Sequence, residues 1–109
     1  MGMKIKIPSS IKLGVYPYKI RFKPNLKVDE GFHGAIQRRT EEINIEPTIS
    51  KPMRDVTLLH EVGHHIDLIY ECGLSEENIS RFANGMAEFL FNNLEIEFDW
   101  SDIKEAEDG

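Results

Sequence analysis

The sequence predicts an α+β fold, a small antiparallel N-terminal sheet followed by two packed helices, with the element types segregated along the chain. Apolar and polar residues alternate in short runs before Pro47, the period of half-buried strands. From Met53 onward apolar residues recur at helical spacing. Proline, glycine and serine fall where strands and helices should begin and end.

The elements follow in order. MKIKI, residues 3 to 7, alternates cleanly and reads as a strand, which Pro8 ends. In IKLGVYPYKIRFKP, Ile11, Leu13 and Val15 and then Tyr18, Ile20 and Phe22 give two strands. The break is expected at Tyr16-Pro17, because proline cannot donate to a ladder. Asn25 to Gly34 reads as a loop. Ala35 to Arg38 and Glu42 to Glu46 form an expected hairpin, with a turn near Arg39-Thr40 and Ile36, Ile43 and Ile45 facing inward. Ser50-Lys51-Pro52 starts a helix, with a capping hydroxyl and an early proline. Its expected apolar face is Leu58, Leu59, Val62, Gly63, Ile66, Ile69 and Tyr70, and Gly73 stops it. Ser75 caps a second helix, with Glu76 and Glu77 at its positive end. Ile79, Phe82, Ala83, Met86, Phe89 and Leu90 make the expected buried stripe there. After Asn93 the chain turns acidic, LEIEFDWSDIKEAEDG, with seven acids and one lysine. This predicts one domain over residues 1–94 and an acidic tail over 95–109.

Composition sets outer limits. A chain of 109 residues, 40% hydrophobic and 29% charged, is an ordinary globular mix with a modest core. The lone Cys72 cannot close an internal disulfide, which argues against a stapled secreted scaffold. No apolar run reaches the length of a membrane span, and the N-terminus lacks a signal-peptide core. The expectation is a soluble, cytoplasmic protein. Net charge is −6 but uneven: seven basic residues and no acid precede Asp29. That arm can suit nucleic acid, yet no stacking aromatics or recognition helix accompany it, so solvated strand lysines are the preferred reading and direct nucleic-acid binding is not expected.

The stretch LLHEVGHHID, residues 58 to 67, carries chemistry. At about 100° per residue, His60 and His64 lie roughly 40° apart on a helix, one turn from each other, so both rings reach one ion. Glu61 points about 100° away, beside the ion rather than on it, where its carboxylate can accept a proton from water. Asp67 and Glu71 share the histidine stripe, and Asp67 can orient a ligand's imidazole. His65 reads as a surface residue; His33 reads equally as a turn or as the rim of a site. A third ligand is less defined. Glu76 can face the first helix, but a tight helical hairpin would set it far along the axis from His64, unless the first helix ends early or the helices cross steeply. Asp67, Glu77 and Glu88 are the alternatives.

TLLHEVGHHID followed by GLSEENISRFANGMAEFL resembles the ImmA/IrrE-type metallopeptidases, and most closely their short phage and mobile-element forms. Those pair an HExxH helix with a second helix reading E-x-x-A-N-x-F-A. Here Glu76, Phe82 and Ala83 match, while Ile79 and Ser80 replace the alanine and asparagine. The likeness covers about residues 3 to 94. It implies a minimal zincin-like fold, a zinc ion held by His60, His64 and Glu76, Glu61 as catalytic base, and a zinc-dependent endopeptidase whose substrate is a protein, such as a repressor of a phage or mobile element. The sequence identifies no separate oxyanion donor; Tyr70, His65 and His33 are the candidates. The competing reading is a non-catalytic regulatory binding module with a structural metal or none. A SprT-like protease acting near DNA fits the basic arm but lacks that group's later histidine.

Overall fold

The computed structural model describes residues 2–26 and 33–105. The class is α+β as expected. Strands β1 (Met3–Lys6), β2 (Ser10–Leu13), β3 (Tyr16–Phe22), β4 (Gly34–Gln37) and β5 (Glu42–Ile45) precede helix α1 (Lys51–Tyr70) and helix α2 (Glu76–Ala87). The second helix continues as a π-helical turn, Glu88–Asn93, and two further strands follow, β6 (Ile96–Asp99) and β7 (Lys104–Glu105). Part of the expected Asn25 to Gly34 loop and the last residues of the tail lie outside the described residues.

The main sheet has the order β2-β3-β5-β4, with β7 also on β3. It is mixed rather than antiparallel throughout. The β2–β3 and β4–β5 pairs are antiparallel hairpins, but β3 and β5 run parallel, in the register Ile20↔Ile43 and Phe22↔Ile45. The chain leaves β3, crosses to the edge as β4 and turns back, so β5 inserts between them. Local hairpin signals do not reveal that insertion, because they say nothing of which hairpin lies beside which. The first hairpin turns at Gly14, not at Tyr16-Pro17; Pro17 sits second in β3, near the strand start where its missing N–H is tolerated.

The inner face of this sheet and α1 enclose the core: Ile7, Tyr18, Ile20, Ile43, Ile45 and Leu58, together with Trp100 and Ile103. Residues 96–105 are therefore structure, not a detached tail. β6 pairs in parallel with β1, Met3↔Ile96 through Lys6↔Asp99. Trp100 Nε1 donates to the buried Asp55 carboxylate at 2.7 Å, and its ring stacks on Phe22 at 5.5 Å. The acids that flag this segment as solvated alternate with Ile96, Phe98 and Trp100, and that strand period is what places it in the fold.

Both helices carry their expected caps. Ser50 accepts from Met53 N and Ser75 from Asn78 N. Their buried faces differ from the expected stripes. On α1 the buried residues are Asp55, Leu58, Glu61 and His65, while Ile66 and Tyr70 are exposed. On α2 they are Ile79, Ala83 and Ala87, and Phe82 and Phe89 face out, 69% and 50% exposed. The cause is close helix packing. A Cβ on Gly63 would lie 3.1 Å from Ile79 Cγ2, so α2 approaches α1 along its small residues and leaves the large rings on its flank. Phe91, carried round by the π turn, packs edge-on against Phe98 instead.

Candidate metal centre

His60 and His64 stand on α1 one turn apart, as the spacing requires, and their rings meet. The two Nε2 atoms are 3.1 Å apart. Glu76, the first residue of α2, closes the group: Oε1 is 2.6 Å from His60 Nε2 and Oε2 is 2.6 Å from His64 Nε2. At that separation one ring can donate its Nε2–H to the other ring's lone pair, or both lone pairs can converge on one cation. Ligand atoms held about 2.0–2.1 Å from a tetrahedral ion sit roughly 3.3 Å apart. The nitrogens meet that spacing, and the carboxylate oxygens need to retreat by less than about 1 Å. Nitrogen, nitrogen and carboxylate oxygen are a donor set that zinc accepts.

Glu61 lies beside the pair. The ligand-type atoms of His60, Glu61 and His64 fall within 4.8 Å of one another, a group that can hold a metal ion. Glu61 is 6% exposed. Burial, and then the charge of Glu76, pushes its carboxyl up to about 7. A buried acid that holds its proton near neutrality releases it once a cation stands close, and then serves as a base.

Helix α1 runs to Tyr70 and so does not end early. Instead, residues 71–75 double back along α1. Glu71 ends the helix in the left-handed conformation, and Cys72 N bonds Asp67 O at 3.2 Å. Leu74 N then bonds the Asp67 side chain at 2.8 Å, so the linker is already beside Asp67 before α2 begins. From Tyr70 back to His64 is about 9 Å of helix, and five extended residues span up to about 17 Å. Asp67 thus fastens the linker and does not orient a ligand. That task falls to Ser80, whose Oγ is 3.3 Å from His60 Nδ1. With Nδ1–H as donor, the Nε2 lone pair is left for a metal. Ser80 stands one turn after Glu76, at the asparagine position of the E-x-x-A-N-x-F-A pattern.

The other candidates lie elsewhere. Glu77 pairs with Arg81 on the exposed flank of α2. Glu88 opens the π turn and lines a separate groove with Pro52, Asp55 and Phe91. His65 is not a surface residue: it has no exposure and its ring packs at a tilt against Tyr18, 4.2 Å between centroids. Tyr70 is 63% exposed and does not line the cleft.

The histidines open into a cleft of about 620 Å³. Its walls are β4 (Gly34, Ala35, Ile36), α1 (Val56, Thr57) and α2 (Ser80, Asn84), and His33 stands on its rim. β4 is an edge strand of the sheet, and β5 lies inside it. A Cβ on Gly34 would meet Thr57 Cγ2 at 2.6 Å and Asn44 O at 3.2 Å, so only glycine lets this edge press against α1 at the cleft.

No family model, curated protein or solved structure matches this chain. Among the described residues no helix is long and apolar enough to cross a membrane.

Proposed function

We propose that this chain is a zinc-dependent endopeptidase of the ImmA/IrrE type, with His60, His64 and Glu76 as ligands and Glu61 as base. The observation that carries it is the convergence of two imidazole Nε2 atoms 3.1 Å apart on one carboxylate, with a buried glutamate at the next position. When bound, the ion supplies Lewis acidity, polarising the scissile carbonyl and acidifying water. Glu61 takes the proton from water and delivers it to the leaving amine. Ser80 fixes the ring of His60. A substrate backbone adds as a strand to the edge strand β4, Gly34–Gln37, which runs into the cleft. The substrate class is a protein with an extended, accessible segment, such as a repressor.

One observation favours the alternative, a non-catalytic module built round a structural metal. Of the three side chains available to steady an oxyanion, only His33 reaches the cleft.

The test is metal analysis with Glu61→Gln. The variant should keep a stoichiometric ion and lose cleavage of a repressor-like substrate by at least about 100-fold. Unchanged cleavage overturns Glu61 as base. A purified wild-type protein that binds no zinc overturns the reading, and zinc retained without turnover by the wild type favours the module.

A further inference from the structure

A second concave site lies on the opposite side of the sheet from α1. It forms where β3 changes partners along one edge. β2 pairs with Tyr16 to Lys19, and β7 takes over at Arg21 and Phe22. Between them Ile20 N bonds Ser9 O at 2.9 Å. The change leaves a pocket of about 560 Å³ with Ile20 as its one apolar lining residue and Ser9, Ser10, Lys19, Arg21, Ser101, Asp102 and Lys104 round it.

The register puts the cations together. Lys19 and Arg21 are two apart on β3, so both project from the outer face, opposite to the buried Tyr18 and Ile20. Lys104 is the cross-strand partner of Arg21, and Ser10 that of Lys19. Like charges placed directly across a sheet repel and destabilise it. Here they gather in a chain with a net charge of −6, where acids are plentiful. Yet among the described residues none of Lys19, Arg21 and Lys104 has an ion-pair partner. Asp102, the one acid on the wall, lies 3.7 Å from Lys6 instead. The Ser101 hydroxyl is engaged with Asp99, which leaves those of Ser9 and Ser10 as neutral donors.

We propose that this pocket binds a phosphate group, free or as the terminal group of a phosphomonoester. A tetrahedral dianion suits it better than a carboxylate. Arg21 offers a planar fork for two oxygens, the two lysines close on it as point charges, and serine hydroxyls reach the rest. The site is independent of the metal centre, which lies on the far side of the sheet.

The test is an amide-resolved NMR titration of the full chain with inorganic phosphate, at constant ionic strength with chloride as the balancing anion. Saturable shifts should appear at Ser9, Ser10, Lys19, Arg21 and Lys104. Arg21→Gln and Lys104→Gln should each weaken binding by roughly tenfold, and Lys12→Gln, on the same face but outside the pocket, should not. Amide spectra of the variants establish that they fold, and Lys104→Gln, on a short exposed strand, serves if Arg21→Gln does not. Phenyl phosphate distinguishes the source: tighter binding than inorganic phosphate marks a monoester site, and equal or weaker binding marks a free-phosphate site. Shifts that track ionic strength alone, or that persist equally in both pocket variants, overturn the proposal. So does binding of a single-stranded oligonucleotide with no saturable phosphate binding, which would assign the face to nucleic acid.

Discussion

A histidine with no exposed surface, packed on a tyrosine ring, is held in its neutral form. His65 occupies that position, and among the described residues neither ring nitrogen has a side-chain partner of ordinary hydrogen-bond geometry. Burial lowers its pKa below the ordinary value of 6.5, with a backbone interaction at Tyr16 opposing. Because the folded pKa lies below the unfolded one, the unfolded chain binds the extra proton first. The stability tied to His65 is complete above about 6.5 and falls as pH drops through that value toward the folded pKa. The melting temperature should therefore decline on mild acidification, and His65→Leu should flatten the decline in metal-free protein, where His60 and His64 are common to both chains. A slope unchanged by the substitution would assign the acid sensitivity elsewhere. The sequence showed His60, Glu61 and His64 because helix geometry alone aligns them. It hid the role of His65, since one residue of difference in phase turns a side chain from water to core.

At the scale of elements, the linker between α1 and α2 decides whether Glu76 reaches the histidines. Its return path rests on the Asp67 carboxylate accepting from Leu74 N. Asp67→Ala should cost about 1–2 kcal/mol in denaturant unfolding and, on the proposed zinc reading, weaken zinc binding by roughly tenfold in a competition titration, although Asp67 is not among the proposed ligands. Zinc affinity equal to wild type would mean that the helix pair holds Glu76 unaided. The caps at Ser50 and Ser75 and the β4–β5 hairpin were readable because each is settled by a few adjacent residues. The buried faces of the helices and the parallel β3–β5 pair were not, because they depend on how distant segments pack. Gly63 reads as an apolar-face residue in the sequence, whereas its consequence, the close approach of Ile79, exists only between two helices.

Across the whole molecule, the segment after Asn93 completes the core. Trp100 satisfies the buried Asp55, stacks on Phe22 and lies 5.5 Å from the Arg54 guanidinium. Trp100→Ala should destabilise the protein by about 3–5 kcal/mol, a large part of the roughly 5–15 kcal/mol of an ordinary domain. Trp100→Phe should cost less, the difference reporting the bond to Asp55. Chemical denaturation of both variants measures this, and a loss below about 1 kcal/mol for Trp100→Ala would return residues 96–105 to the status of an appendage. Acid content concealed this segment, since seven carboxylates outweigh three alternating apolar residues in any compositional view. The parallel pairing of Met3 with Ile96 has a consequence for biogenesis. The histidine-bearing helix is synthesised before β6, the strand that seals the N-terminal one. Until β6 arrives the nascent polypeptide keeps an open edge on β1 and an interior that Trp100 and Ile103 have yet to cover, and pairing Met3 with Ile96 closes a loop spanning most of the chain, the kind of non-local contact that slows folding.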